Sequence, residues 1–450
     1  MSLKVIELND RGIKVGDESG IIVQSPGFAL VVGDTLEVGD SAEQQARLQP
    51  TNSFNKYWHE LSLEPISHSN KIRHFADLAY AQLLHLAEAG AIDKDVIFAV
   101  PGNFSRQQLA ILLGLAQQSP FTTVGVVDSA LAATVSAAQA EHIVYADIQL
   151  HQVVLTKLAI VGDHLETEGV VQIPGVGNQN FMNLMMQIAT DMFIQQCRFN
   201  PQHNAESEQQ LYNELPSWLL QDDKEKTLQL ALKSATAVHT AKLPRETLIT
   251  TLNDYYKKIN EQISAIGVTN NAQLLLSKNL AELPGYQSAL KQISEFVIVE
   301  DHSVNSACHQ YRELIAGSDQ GIHLVNKFPA SALGRGTVDS SQQVSAAERP
   351  THVLFANRAF AIGTIDIKNN ETLNGSAKVS GTIVMNIANL PESLGRIEKC
   401  GDEVYLKCGN QQVFVNGSLV MGECPLNLGD RICFVKNGEE ISLIQVNNGQ

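Results

Sequence analysis

Two carboxylates stand where short apolar runs end: Glu7 in Lys4–Leu8 and Asp147 in Ile143–Asp147. An acid at a strand end caps the turn that follows, and that is the plain reading of both. The other chemistry open to such residues is a hard-cation site, which needs several converging oxygen donors. Cysteine offers a second candidate chemistry. Four of the six cysteines, Cys400, Cys408, Cys424 and Cys433, crowd the C-terminal end. A zinc ribbon needs close pairs, and these spacings do not supply them. They read as reduced thiols on β-strands. The methionines of Asn180–Cys197 share a helical face with Phe181, Leu184, Ile188 and Phe193 and read as core filling. The charged run Asp222–Lys226 reads as a solvated face.

The elements that must position these residues centre on Val96–Thr134. Val96–Val100 is wholly apolar, as in a strand buried on both faces. Ser105 with Gln108 three residues on forms a capping box, and Leu109, Leu112, Leu113 and Ala116 then share one helical face. Thr123–Val127 is a second buried strand, and Asp128 can cap an alanine-rich helix. Two parallel strands joined through a packed helix make a βαβ unit. Before it, Ile21–Val23 and Ala29–Val32 form a β-meander, Gly33–Leu61 turns helical, and Ile72–Ala89 is an amphipathic helix. After it come a strand at Ile143–Asp147, a hairpin of Gln152–Val161 with Val170–Ile173, and the helix Asn180–Cys197. A mostly helical stretch follows over Leu211–Gln262. Strands at Ala272–Leu276 and Phe296–Val299 alternate with helices at Pro284–Gln292 and Ser303–Ala316.

Composition bounds the class. The chain has 450 residues, 44% of them hydrophobic and 18% charged, enough apolar material for a sizeable core and for several domains. A net charge of −16, without a lysine or arginine run, argues against nucleic acid and anionic membrane surfaces as partners. No apolar stretch is long enough for a transmembrane helix. MSLKVIELND lacks a signal-peptide core, so a cytoplasmic location is expected.

The segments AVPGNFSRQQ and VGVVDSALAAT, the Gln49-Pro50-Thr51-Asn52 turn and the element order to about residue 320 resemble the heat-shock protein 70 chaperone family in register. The resemblance implies an actin-like (ribonuclease H-like) two-lobed nucleotidase domain. In that family two glycine-rich turns wrap the nucleotide phosphates with backbone N–H groups, and a carboxylate at each holds the magnesium shell. Carried over, the acids are Glu7 and Asp147, and Lys56 falls one residue from the place of the family's lysine. The turns themselves depart from the pattern. Asn9-Asp10-Arg11 replaces glycine and hydroxyls, and Ile148–His151 replaces the glycine cradle. Ser129 stands where the family has a glutamate, and Ser277-Lys278 where a glycine pair meets the adenosine. Glycine matters there because the backbone must approach phosphate closely. Asp10 is expected to repel phosphate, and the Ser277 and Lys278 side chains to project into the adenosine space.

Phe328–Pro350 is poor in large apolar residues and reads as a linker. From Thr351 short apolar runs alternate with Asn-Gly turns, which suggests a β-sandwich. Phe414–Gly417 and Leu426–Ile432 within it resemble the forkhead-associated domain. That family's phosphothreonine pocket implies an arginine, a serine, a histidine and an asparagine. Pro391, Leu394 and Gln411 stand at the aligned places, and Arg396 falls on the following strand.

The expectation is therefore an actin-like α/β domain over residues 1–327, a linker over 328–350 and a small all-β sandwich over 351–450. The favoured role is a non-catalytic scaffold that binds protein partners and needs no cofactor. The alternatives are a divergent ATPase using Mg·ATP and an actin-like component of an envelope or division apparatus.

Overall fold

The computed structural model describes residues 3–66, 72–221, 225–234, 237–266, 272–316, 321–329, 350–355, 358–369, 382–385, 391, 393–400, 403–415, 418–426, 429–434 and 440–444. The chain divides into a mixed α/β unit, residues 1–336, and a second unit, residues 337–450, whose described elements are all strands.

Two six-stranded sheets dominate the α/β unit, and five strands of each share one connectivity; the sixth differs, Leu324–Val325 pairing parallel with Thr122–Asp128 in the first sheet and Lys327–Pro329 antiparallel with His164–Pro174 in the second. In the first, Lys4–Glu7, Ile13–Asp17 and Gly20–Ser25 make an antiparallel meander. Asp95–Val100 then returns parallel to Lys4–Glu7, and Thr122–Asp128 parallel to Asp95–Val100. In the second, His142–Ile148, Gln152–Val161 and His164–Pro174 make the meander. Ala272–Ser277 returns parallel to His142–Ile148, and Phe296–Val299 parallel to Ala272–Ser277. In both sheets a helix precedes each returning strand. Glu7 ends the first strand of one sheet, and Asp147 lies one residue from the end of the first strand of the other.

The central stretch folds as its pattern dictates. Val96, Ile97, Phe98, Ala99 and Val100 are all buried, because a parallel strand between covered faces has no solvent side. Ser105 Oγ accepts from the Gln108 amide at 3.2 Å, and Gln108 Oε1 accepts from the Ser105 amide at 2.9 Å. This closes the capping box of helix Arg106–Gln117. Asp128 Oδ1 accepts from the Ala130 amide at 2.9 Å and caps helix Ser129–Thr134. In helix Asn178–Cys197, Phe181, Met185, Ile188 and Phe193 are core residues.

Several expectations need correction. Gly33–Leu61 is not one helix. Gly33 takes a positive φ of 57° and turns Ala29–Val32 back onto the strand Thr35–Val38, leaving helix only at Asp40–Glu43. Within Leu211–Gln262, Thr227–Lys233 and Val238–Pro244 form a hairpin whose buried Leu228, Leu230 and Leu232 alternate with more exposed residues. Pro284 stands outside its helix, because Gly285, with φ 78°, is the N-cap and the helix begins at Tyr286. Phe328 is no linker residue. It is fully buried in Lys327–Pro329, which pairs with His164–Pro174. Residues 330–349 of the expected linker lie outside the described residues.

In the second unit the strand order is Arg358–Ala361, His352–Phe355, Glu440–Ile444, Arg431–Cys433, Glu403–Val415, Ser393–Cys400, Thr364–Asn369, Thr382–Met385. Ser418–Leu426 also pairs with Glu403–Val415. Alternate residues such as Ile365, Ile367, Val404, Leu406, Ile441 and Leu443 make its core. Cys408, Cys424 and Cys433 lie on strands, the first two with free thiols; the side chain of Cys400 lies outside the described residues. Among the described residues no helix is long and apolar enough to cross a membrane.

Candidate functional site

The matching ends of the two meanders face each other, and the loop Asn9–Arg11 bridges them. Asn9 is buried, and its Nδ2 donates to Asp147 Oδ2 at 2.9 Å and to the Ile148 carbonyl at 3.1 Å. Asp10 is also buried, and its Oδ1 accepts from the Leu150 amide at 2.7 Å. Arg11 Nε donates to Asn178 Oδ1 at 3.1 Å, and its terminal nitrogen donates to Asn279 Oδ1. Three consecutive side chains thus tie the first sheet's loop to the second sheet, to helix Asn178–Cys197 and to the short helix Lys278–Ala281.

The backbone of both turns is engaged internally. Gly12 N–H donates to the Asn9 carbonyl at 2.9 Å, Arg11 N–H to Asn9 Oδ1 at 3.0 Å, and Gly27 N–H to the Asp10 carbonyl at 2.8 Å. In the second turn Gln149 N–H donates to the Gln152 carbonyl at 2.8 Å. The first amides of helix Asn178–Cys197 are directed at the same turn: Asn178 N–H donates to the Gln149 carbonyl at 2.9 Å and Gln179 N–H to the Leu150 carbonyl at 2.8 Å. Gly177 permits this approach. A Cβ there would lie 2.2 Å from the Gln152 nitrogen and the His151 carbonyl carbon.

Electrostatics follow from four acids, Glu7, Asp10, Asp147 and Asp301, with Lys14 and Arg11. Lys14 is buried, and its Nζ lies 2.7 Å from Asp301 Oδ1 and 3.5 Å from Glu7 Oε2. Burial pushes the Glu7 carboxyl up to about 7, with Lys14 opposing and Asp147 and Asp301 adding to the rise. Burial likewise lifts Asp10 to about 7, against the Leu150 amide that favours its charged form. Asp147 is raised by burial, despite hydrogen bonds from Ser277 and Asn9 and the charge of Lys14. Burial lowers Arg11, and the nearby Asp147 opposes that shift.

Two cavities flank the bridge. The larger, about 1300 Å³, is lined by Arg11, Glu43, Asn178, Tyr212, Arg245 and Asn279 among others. The smaller, about 260 Å³, has Asp10, Trp58, His59, Asn103 and Gln149 in its wall. A second set of contacts crosses between the segment around Glu43 and helix Ala205–Leu219. Tyr212 Oη donates to Glu43 Oε1 at 2.6 Å, and the Arg47 amide donates to Gln209 Oε1 at 2.6 Å.

Of the sequence-derived site residues, Glu7 and Asp147 come together around Lys14. Lys56 does not join them; it is exposed and pairs with Glu60 at 3.6 Å. Ser277 and Lys278 do not project into the large cavity. Ser277 Oγ caps the helix that starts at Lys278, accepting from the Leu280 amide at 3.3 Å, and Lys278 pairs with Glu282 at 3.9 Å. Asn279 and Glu282 line the cavity instead. Asp10 does not stand as an unpaired charge, since it occupies the Leu150 amide. Arg396 lies on strand Ser393–Cys400, and its Nε is 2.6 Å from Asp366 Oδ1. Pro391 is exposed and Leu394 is buried in the second unit's core; the side chain of Gln411 lies outside the described residues. Lys14 and Asp301 are not among the residues the sequence singles out, and Asn9 and Arg11 stand there only as departures from a glycine turn, not as the bridge they form. A lysine among the apolar residues of Ile13–Val15 was the one signal available. Compared with known proteins, the chain matches no family model and no curated sequence.

Proposed function

We propose that the chain is a non-catalytic protein-interaction scaffold, cytoplasmic, built on an actin-like two-lobed domain of the heat-shock protein 70 type followed by a forkhead-associated-like β-sandwich. The five-strand connectivity repeated in the two sheets, with an acid at or next to the end of each first strand, supports the actin-like reading. One observation carries the loss of catalysis: the turns that would wrap phosphate are engaged by the chain itself. The Asp10 carboxylate occupies the Leu150 amide, and Arg11, in the wall of the larger cavity, is held by Asn178 and Asn279. A phosphate would have to displace an internal anion and break contacts worth about 1–3 kcal/mol each.

A second reading, a divergent Mg·ATP-dependent ATPase, is favoured by the cavity of about 1300 Å³ beside Arg11 and by the retention of Glu7 and Asp147. Calorimetry of the full chain with Mg·ATP and Mg·ADP, beside a phosphate-release assay, separates the two. The scaffold reading expects no turnover and at most millimolar affinity. Micromolar binding that disappears in Asp147→Ala would establish the second reading and remove the first.

A further inference from the structure

The smaller cavity, about 260 Å³, has an acid in its floor and, among the described residues lining it, no lysine or arginine. Asp10 lies there with the buried apolar residues Leu8, Ile13 and Trp58, whereas Ser105 and Gln172 are exposed and stand at the mouth. Asp10 is only 8% exposed. Its Oδ1 accepts from the Leu150 amide at 2.7 Å, which uses one of about four acceptor positions of an ionised carboxylate. It has no ion-pair partner among the described residues, because Arg11, next in the chain, turns away to Asn178 and Asn279. Asp147, whose charge acts on it, has the same sign. The rest of the wall offers little competing polarity. Trp58 Nε1 donates to Gln82 Oε1 at 2.7 Å, so the indole brings only its ring to the cavity. Asn103 and Gln149 satisfy each other through two hydrogen bonds of 3.1 Å. The His59 ring, in contrast, lines the cavity and makes no hydrogen bond among the described residues. Burial lowers its value, so it is a neutral imidazole with a nitrogen that can accept.

A buried carboxylate without a positive partner is costly, and a ligand that brings the charge relieves the cost. A metal ion does not suit this wall, since it needs several converging oxygen donors and only one carboxylate is present. An ammonium group does suit it, because it needs one countercharge and two or three acceptors. The volume falls below the range that takes drug-sized ligands, so the molecule must be small. We propose that this cavity binds a small primary amine in its ammonium form: the Asp10 carboxylate takes the charge, the His59 ring accepts a further N–H, and Leu8, Ile13, Trp58 and Phe104 cover a short alkyl body. The inference does not rest on the scaffold reading, whose test is nucleotide binding, whereas the experiment below uses amines alone and reads Asp10.

The test titrates the full chain with n-butylammonium chloride, followed by saturation-transfer NMR, beside butan-1-ol and sodium butyrate as neutral and anionic molecules of the same length. At about pH 8.5 Asp10, lifted by burial to about 7, is ionised, and an alkylamine is still protonated, as a lysine is. The amine should saturate one site with half-saturation at ~1 mM or below, a modest affinity for a ligand of so few atoms. The alcohol and the butyrate should bind at least about tenfold more weakly, since neither brings a charge-assisted hydrogen bond to the carboxylate. Asp10→Asn keeps an oxygen for the Leu150 amide and removes the charge, and should weaken amine binding by about tenfold or more. Asp254→Asn, which removes an acid exposed on a helix surface, should leave it unchanged. Amine binding no tighter than that of butan-1-ol overturns the proposal. So does parent affinity in a folded Asp10→Asn protein, an equal loss in Asp254→Asn, or the absence of a saturable signal up to ~10 mM. Circular dichroism reports whether Asp10→Asn folds; if it does not, the comparison of amine with alcohol on the unaltered chain decides.

Discussion

Replacing Glu7 by glutamine should change how the α/β unit's stability depends on pH, by an amount the burial of Glu7 sets. Glutamine keeps the size and leaves Lys14 an acceptor, so the perturbation is the loss of one titrating charge. Burial raises the Glu7 carboxyl from 4.5 to about 7. For an acid raised in the folded state, folding takes up a proton. Its full contribution is present below the unfolded value and is lost as pH climbs through 4.5 toward the folded value. With 4.5 unfolded and about 7 folded, ionisation of Glu7 removes ~2 kcal/mol between about pH 5 and about pH 7.5. The Glu7→Gln protein does not experience that loss, so it should gain ~2 kcal/mol on the parent over the same interval. Contributions from His59, His151, Asp10 and Asp128 cancel in the difference. The assay is urea unfolding read by tryptophan fluorescence, which reports this unit alone because Trp58 and Trp218 are the chain's two tryptophans. A difference between the two proteins that stays constant within ~0.5 kcal/mol across the interval would refute the reasoning. It would mean that Glu7 titrates like an exposed carboxylate and that Lys14 neutralises it fully.

Gly177→Ala should cost ~2–4 kcal/mol, because a Cβ meets backbone at 2.2 Å on the facing turn and neither segment can yield cheaply; an unchanged urea midpoint would refute this. Arg11→Met should cost ~2–4 kcal/mol from two lost charge-assisted hydrogen bonds, and hydrogen exchange should rise at the start of helix Asn178–Cys197. Exchange there at the parent rate would mean that the bridge does not hold the helix end. Ser105→Ala removes one half of a capping box and should cost ~1 kcal/mol in the same unfolding assay. In the second unit Arg396 is already paired with Asp366. A peptide array should therefore show no preference for phosphothreonine, and a phosphate-dependent affinity abolished by Arg396→Ala would contradict that.

The fold is legible where an element carries a continuous apolar run. Val96–Val100, Thr123–Val127 and Ala272–Leu276 are legible within a residue or two because parallel strands covered on both faces carry continuous apolar runs, and the edge strand Phe296–Val299 is legible from its apolar run although Val297 is exposed. The caps at Ser105 and Asp128 were legible because side-chain capping is local chemistry. The failures came where a helix period was expected and a period of two was present. Leu228, Leu230 and Leu232 announce a strand, but the helices on both sides, Ala205–Leu219 and Arg245–Ala265, drew the hairpin into them. Gly33 was recognised as a turn residue, yet the strand after it was not, since Thr35–Val38 is half exposed and offers little apolar signal.

The site was harder to read, because the meaning of each residue depends on a partner more than a hundred positions away. Asp10 reads in sequence as a charge that repels phosphate, whereas in the fold it is the anion already seated on the Leu150 amide. Glu7 and Asp147 hold equivalent places in two sheets of the same connectivity, so a duplicated unit should treat them alike. Their register partners break the equivalence: Glu7 faces Lys14, and Asp147 faces Val154. Lys14 faces Glu7 and pairs with Asp301, and its charge favours the ionised form of Asp147 as well. Burial nonetheless raises both Glu7 and Asp147, and for Glu7 the neighbouring Asp147 and Asp301 add to the rise. The Asn9 amide donates to Asp147 Oδ2 and adds hydrogen bonding to that carboxylate without adding charge.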